Sequence, residues 1–263
     1  MRRGLQLMKI IFLGTCAYDY SPRLQSDLKD KFDFDARRSS SMLIDGSILV
    51  DCGTHTLNSL DIAGVEYSDI TDVVITHLHC DHFDPKNIAV LAKNRHTPLN
   101  LWVRNDAAVD EIPNVAINRT HLFEPAVLPC GARVTGMLAN HDETAFPQHL
   151  LIEKDGKSIF YGCDGAWLLN KTYYHLGKRG LDLAVLDCTM GDYDGDYRIG
   201  EHNSIKMLRA MIPSLKTVRA VDEHTKIYFS HLAPSLHAPH KETELIANGI
   251  GASVAYDGLC IEL

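Results

Sequence analysis

The sequence has no run of about 20 apolar residues, no CxxC pair and no excess of basic residues. The missing apolar run argues against a helix that crosses a membrane. The seven cysteines are odd in number and scattered, which is typical of reduced thiols in the cytoplasm rather than of a disulfide framework. The net charge of −8 argues against a basic surface that would bind long nucleic acid. A small anionic substrate bound beside a metal ion is compatible with this charge.

The N-terminus is only loosely similar to a lipoprotein signal. Arg2 and Arg3 precede a short apolar run, residues 10–13, and Cys16 follows it. This run is much shorter than the hydrophobic region of a signal peptide, and we interpret it as the first core strand. Met8 is an alternative initiator to Met1, in which case residues 1–7 are an extension.

Length and composition predict one enzyme-sized α/β domain over residues 1–263. A hydrophobic fraction of 45% and a charged fraction of 23% are ordinary for a globular chain that buries its own core. Asp-Gly pairs between apolar runs, at Asp45 and Asp155, predict two β-hairpins. Helices are predicted from Asp84 onwards and over residues 203–211. Further β-rich runs favour two sheets that pack together, and these are residues 9–14, 73–76, 99–103, 133–138, 181–186, 226–230 and 253–263.

The segment 76–82, Thr-His-Leu-His-Cys-Asp-His, directly follows a predicted strand and carries His77, His79, Asp81 and His82. In extended backbone His77 and His79 point to the same side, while Asp81 and His82 can turn towards a second point. As a purely structural feature, so dense a group of ionisable side chains would be costly to bury. The motif therefore predicts metal ligands, with room for two ions.

Three more candidate ligands lie just past predicted strand ends, where a rigid sheet can bring several side chains to one centre. His141 follows the strand at 133–138, Asp164 follows the second hairpin, and His231 follows the strand at 226–230. Each alone could be an ordinary loop residue. Their common placement, and their order after the histidine motif, favour metal binding.

With these residues the chain resembles the metallo-β-lactamase superfamily, over residues 8–263. The resemblance implies an αββα sandwich and a dinuclear metal site in which Asp164 bridges the two ions. The ligands that it implies are His77, His79 and His141 for one metal, and Asp81, His82 and His231 for the other. It also implies that Asp51 orients the histidine loop by contacts with the metal ligands, without binding a metal itself. Zinc suits the many histidines, and manganese or iron also occupies dinuclear sites that contain carboxylates.

Two further segments are similar to motifs of the PhnP and tRNase Z phosphodiesterase group within this superfamily: Leu-Asp-Cys-Thr at 186–189 and Glu-His-Asn-Ser at 201–204. The resemblance implies a hydrolase that cleaves small phosphodiesters, cyclic ones included, by means of a hydroxide that bridges the metals. His202, oriented by Asp187, is then the candidate general acid for the leaving alkoxide. The alternative is that His202 only caps the helix that begins near Asn203.

The chain departs from that group in two respects. The region after the first strand offers only Cys16, and Pro234 stands where PhnP has a further histidine, so no accessory structural zinc is predicted. A basic, glycine-rich arm is missing, which argues against precursor tRNA as substrate. Arg37 and Arg38 either hold a substrate phosphate or are solvated loop charges, and the second interpretation is favoured. The acidic run at 192–196 is interpreted as a lid.

Two other functions stay open. A lactone or thioester hydrolase could use the same scaffold, with the metals polarising a carbonyl group instead of a phosphoryl group. A metal-binding or sensing module without catalytic activity is the third possibility, although the retention of seven candidate ligands argues against it. The resemblance also makes a homodimer plausible, and the natural substrate is not identified by the sequence.

Overall fold

A computed structural model describes residues 7–192 and 196–263. Within these ranges the chain forms two mixed β-sheets of seven strands each. Residues 1–6 of the candidate extension lie outside the described ranges, and so do residues 193–195 of the predicted acidic lid. None of the described helices has the length and apolar character needed to cross a membrane.

The first sheet combines the N-terminal half of the chain with its last strand. The strands are β1 (Lys9–Gly14), β2 (Ser41–Ile44), β3 (Ile48–Val50), β4 (Asp72–Val74), β5 (Leu99–Arg104), β6 (Val115–Thr120) and β14 (Cys260–Glu262), in the spatial order β14-β1-β2-β3-β4-β5-β6. The first predicted hairpin joins β2 to β3. Its turn residues Asp45 and Gly46 have positive φ angles, which Asp and Gly tolerate better than most residues.

The second sheet contains the remaining strands. They are β7 (Pro125–Val127), β8 (Arg133–Leu138), β9 (Gln148–Lys154), β10 (Lys157–Gly162), β11 (Leu183–Asp187), β12 (Lys226–Ser230) and β13 (Ser253–Val254), in the order β13-β12-β11-β10-β9-β8-β7. The second predicted hairpin joins β9 to β10 through Asp155 and Gly156. The β-rich run predicted over 253–263 contains two strands, β13 and β14, which belong to different sheets. The chain crosses the sandwich between them.

Five helices are found in the described ranges. They are α1 (Thr56–Ile62), α2 (Pro85–Ala92), α3 (Asn170–Leu176), α4 (Ile205–Thr217) and α5 (His240–Asn248). The start of α2 is as predicted, because the Asp84 side chain accepts a hydrogen bond from Lys86 N and Pro85 is the first helical residue. Apolar residues of α1 and α2 pack on the first sheet, and those of α3, α4 and α5 pack on the second.

The alternation of side chains along the strands builds three apolar layers. On β2, Met42 and Ile44 lie between the sheets and pack with residues of the second sheet such as Leu150, whereas Leu43 points outward to the layer that contains Leu60 of α1. The result is the predicted αββα sandwich, with one apolar core between its two sheets and one beneath the helices on each side.

The segment between β1 and β2 contains Arg37 and Arg38, whose predicted exposure to solvent is not observed. Their exposed fractions are 3% and 0%, so the interpretation as solvated loop charges is wrong. Arg38 donates hydrogen bonds to Asn58 Oδ1 at 2.7 Å and to Leu28 O at 2.6 Å. Its guanidinium also lies 3.8 Å from the Asp257 carboxylate. Burial of these charges depends on contacts with residues far along the chain, which local polarity does not reveal.

Candidate metal centre

The sequence-predicted ligands lie together at one end of the sandwich, because each follows the end of a strand. The histidine motif follows β4, His141 follows β8, Asp164 follows β10 and His231 follows β12. The structure brings all seven candidate side chains into two buried or half-buried groups that share Asp164. Segments far apart in sequence thus converge as the strand-end placement predicts.

Asp164 occupies the middle of the cluster. Its Oδ2 atom lies within 3.6 Å of four imidazole Nε2 atoms: 3.3 Å from His77, 3.4 Å from His141, 3.4 Å from His231 and 3.6 Å from His82. The Asp164 side chain is itself buried. One oxygen is therefore shared between two sets of nitrogen donors, which is the geometry needed for a bridging carboxylate.

The spacing of the donor atoms can be tested against a metal ion. Tetrahedral zinc with bonds of 2.0–2.1 Å requires neighbouring donor atoms to be roughly 3.3–3.4 Å apart. In the first group, His79 Nδ1 lies 3.0 Å from His77 Nε2 and 3.1 Å from His141 Nε2. In the second, His82 Nε2 lies 3.2 Å from His231 Nε2 and 3.3 Å from Asp81 Oδ2. Both groups have donor types that suit a divalent cation, at spacings equal to or slightly shorter than the tetrahedral value.

Side chains behind the cluster hold the imidazoles in orientation. Asp51 Oδ2 lies 2.7 Å from His82 Nδ1, and Asp51 also accepts hydrogen bonds from the backbone and hydroxyl of Thr76. The contact that the resemblance implies for Asp51 is thus present. With a cation in the site, a proton on Nδ1 would stay with Asp51, and Nε2 of His82 would be the atom that faces the cation.

Thr189 is a residue of the site that the sequence analysis did not single out. Its hydroxyl lies 2.7 Å from His231 Nδ1, 2.8 Å from Asp187 Oδ2 and 3.1 Å from His202 Nδ1. The hydroxyl proton can be donated to Asp187, while its lone pairs accept from the imidazoles. The signal that could have identified it is its position two residues after Asp187, past the end of β11.

His202 lies beside the shared carboxylate. Its Nδ1 is 2.9 Å from Asp164 Oδ1 and 3.3 Å from Asp187 Oδ2. The alternative in which His202 caps the following helix is wrong, since the N-cap of α4 is Ser204, whose side chain accepts from Met207 N. The predicted contact with Asp187 exists, and Asp164 is a closer neighbour that the sequence did not predict.

The pKa values of two imidazoles of the site are shifted in opposite directions, downward by burial at His77 and upward by carboxylates at His202. Burial and the charge of His82 lower the pKa of His77 to about 3, so this imidazole is neutral and its lone pair is available. Burial also opposes the charged form of His202, but the charge of Asp164 and the contacts with Asp164 and Asp187 outweigh it and raise the pKa to about 11. His202 therefore holds a proton at neutral pH, and cations bound at Asp164 would weaken that hold.

The backbone at the centre is unusual for residues with side chains. Asp51, Asp164 and His231 have φ angles of 61°, 56° and 58°, in the left-handed region. Gly53 allows a close approach, because a Cβ atom there would overlap the backbone of Asp81. The site thus depends on locally unfavourable conformations that the surrounding packing holds in place.

Comparison with solved structures identifies the fold. The metallo-β-lactamase fold protein YhfI from Bacillus subtilis is 14% identical and superposes over 98% of this chain and 100% of its own, with a TM-score of 0.75. The chain has the metallo-β-lactamase fold. A diphosphatase from the PhnP family is 20% identical, with a TM-score of 0.74 over 98% of both chains. Zinc-bound PqqB from Methylobacterium extorquens is 17% identical, with a TM-score of 0.70 over 97% of this chain and 100% of its own.

Comparisons at the level of sequence give one match. Residues 37–105 match the family described as "Anti-Pycsar protein Apyc1", and this region includes the histidine motif at 76–82. A search of curated proteins finds no match. The resemblance predicted from the sequence is thus confirmed for the metallo-β-lactamase fold. Together with the buried histidine and aspartate groups, these findings support a metal-dependent hydrolase.

Proposed function

We propose that this protein is a dinuclear metal-dependent phosphodiesterase that hydrolyses a small phosphodiester. The observation that carries the proposal is the position of Asp164 Oδ2, within 3.6 Å of four imidazole nitrogens that divide into two donor groups. One ion would be held by His77, His79, His141 and Asp164, and the other by Asp81, His82, Asp164 and His231. Zinc suits this donor set, and manganese or iron is also compatible with it.

The cations would supply a nucleophile active at neutral pH and would neutralise charge on the phosphoryl oxygens. The chain's own residues supply the rest. Asp51 and Thr189 fix the proton on Nδ1 of His82 and His231, so that the Nε2 lone pairs converge on the cluster. A preorganised donor set of this kind needs little rearrangement when the substrate enters.

His202 is the proposed general acid. Its Nδ1 is held by Asp164 and Asp187, so the proton that it transfers to the leaving alkoxide is the one on Nε2. Phosphodiesters with alkyl leaving groups need such a proton, whereas activated carbonyl esters depend on it much less. The position of His202 therefore favours phosphodiester cleavage over the hydrolysis of a thioester.

A cyclic nucleotide is the proposed substrate class. Support comes from the match of residues 37–105 to the Apyc1 family, a family of cyclic nucleotide phosphodiesterases. A small cyclic diester also agrees with the net charge of −8, which disfavours long polyanions. In such a substrate the leaving group is a ribose hydroxyl, which requires protonation as it departs.

Turnover of a substrate panel by the metal-loaded protein tests the proposal. The panel contains 3′,5′-cyclic nucleotides, linear dinucleotides, lactones and thioesters, and we expect hydrolysis of the cyclic diesters to be fastest. Elemental analysis should find about two transition-metal ions per chain, falling in Asp164→Ala but not in the surface control Asp27→Ala. Turnover of thioesters or lactones alone, or a single ion under metal excess, would contradict the proposal.

A further inference from the structure

A polar cavity lies beside the segment that follows β12, and its wall differs from the ligand set of the metal centre. Its volume is about 260 Å³, and its wall includes Arg37, Leu232, His237, His240 and Thr243. Leu232 directly follows His231, so the cavity lies against the segment that leaves β12. Because no candidate metal ligand is part of its wall, any ligand here would occupy a separate site.

Arg37 gives this cavity a positive charge that is only partly compensated. The guanidinium donates hydrogen bonds to Thr15 Oγ1 at 2.7 Å and to Ala255 O at 2.6 Å, both neutral acceptors. Within the described ranges no carboxylate lies at ion-pair distance from it. The nearby buried carboxylate, Asp257, accepts from Thr15 and from Arg38 N, and it also faces the Arg38 guanidinium at 3.8 Å. Two buried guanidinium groups thus share one buried carboxylate.

Such an arrangement is uncommon, because a fully buried arginine is normally paired with an acid. An anion in the cavity would supply the missing counter-charge to Arg37. A metal ion would do the opposite, since it would add a second positive charge to the same wall. The positive charge of the wall therefore favours an anion over a cation as the ligand.

His237 in the wall offers an acceptor nitrogen, which suits a protonated oxyanion such as hydrogen phosphate. His237 Nε2 donates to Cys188 O at 2.7 Å, so Nε2 carries the proton and Nδ1 is the remaining polar atom. Nδ1 is buried and has no hydrogen-bond partner among the described residues. It can accept from a P–OH group or, once protonated, donate to a phosphoryl oxygen.

His240 begins α5, a helix of nine residues, and its Nδ1 accepts from Arg37 at 3.0 Å, which leaves an Nε2–H donor. The positive end of the helix dipole adds to the attraction of an anion. The carboxylate in the wall, Asp35, is exposed and already accepts a hydrogen bond from His240 N at 2.7 Å. It therefore offsets only part of the positive potential.

We propose that this cavity is a binding site for a small tetrahedral oxyanion of the phosphate class, separate from the metal centre. Its volume is below that of pockets for drug-sized ligands, so it suits a phosphate or the phosphate group of a small phosphomonoester. The guanidinium of Arg37, Nδ1 of His237 and Nε2 of His240 are the groups that contact it.

Crystals of the metal-loaded protein soaked in selenate locate the anion directly, because selenium gives an anomalous signal. We expect a selenium peak within hydrogen-bond distance of Arg37 and of the Nε2–H donor of His240, in addition to any peak at the metals. In solution, calorimetric titration with inorganic phosphate should show a binding class that weakens at least tenfold in Arg37→Gln and in His237→Leu.

Arg95→Gln is the matched control, because Arg95 is another arginine held by a backbone carbonyl, that of Tyr67, in a cleft that belongs to α1 and α2. It should leave phosphate binding unchanged. If Arg37→Gln does not fold, His237→Leu and the selenate position decide the matter. Selenate at the metals alone, unchanged phosphate affinity in His237→Leu, or a transition-metal peak in the cavity would overturn the proposal.

Discussion

His202 Nδ1 lies 2.9 Å from Asp164 Oδ1, while the other oxygen of the same carboxylate faces the four imidazoles of the candidate metal centre. One side chain thus connects the proposed cation sites to the proposed proton donor. A change of charge at the proposed cation sites would therefore alter the pKa of His202 through a single carboxylate. Because of this contact, substitution of His202 can test its proposed role as proton donor.

Replacement of His202 by alanine should separate proton transfer from structural support. A general acid typically contributes about 10²- to 10⁴-fold, so His202→Ala should lower turnover of a diester with an alkyl leaving group by that factor. With a nitrophenyl diester, whose leaving group needs little protonation, the loss should be much smaller. The exposed histidine His224 provides the control His224→Ala, which should match the wild type on both substrates. Equal losses on both substrates would assign His202 a structural role.

Thr189 should affect metal affinity through His231. Thr189→Val keeps the shape of the side chain but removes the hydroxyl that contacts His231 Nδ1 and Asp187. Loss of such an outer contact typically weakens metal binding about 10- to 100-fold. Competition with a chromophoric chelator measures this, and Thr189→Ser should restore most of the affinity. If the valine variant binds metal as tightly as the wild type, the hydroxyl does not orient His231.

Arg38 should contribute strongly to stability, in contrast to a solvated loop charge. Arg38→Met removes the hydrogen bonds to Leu28 O and Asn58 and one of the two cations near Asp257. Breaking a buried pair of this kind costs about 3–5 kcal/mol, measured as the free energy of unfolding in urea. Arg23→Met, which removes an exposed i,i+4 ion pair with Asp27, should stay near the wild type. Similar behaviour of the two variants would contradict the buried network.

Gly53 should be intolerant of even a methyl group. A Cβ atom there would overlap the backbone of Asp81 within the histidine motif, so Gly53→Ala should destabilise the fold by on the order of 3 kcal/mol or more. Gly200→Ala is the control, because a Cβ there meets no atom within 4 Å and its backbone is not left-handed. Urea unfolding of the two variants should differ clearly. A wild-type midpoint for Gly53→Ala would show that the loop can move aside.

The candidate metal ligands could be located from the sequence because their signals are local. Four lie in one short motif, and His141, Asp164 and His231 each follow an apolar run that forms a strand. Strand ends meet at one edge of a sheet, so position along the chain was enough to predict the convergence. The two Asp-Gly hairpins were predictable for the same reason, since turn chemistry depends on adjacent residues.

The features that escaped prediction depend on distant contacts. The burial of Arg37 and Arg38 requires the Asp257 region, more than 200 residues further along the chain. The division of residues 253–263 between two sheets depends on which edge each short strand meets. Thr189 acquires its role from the side-chain directions of His231 and His202, which no periodicity encodes.

The left-handed backbone at Asp51, Asp164 and His231 has an evolutionary consequence. Side-chain-bearing residues in that conformation cost on the order of 1–3 kcal/mol each, and glycine would relieve much of this strain. Selection for heat resistance alone, on protein produced without metal, would therefore favour substitutions at these three positions. The surviving variants would keep both sheets and lose the side chains of the proposed metal site. Descendants of this chain could therefore become more stable while they lose catalytic activity.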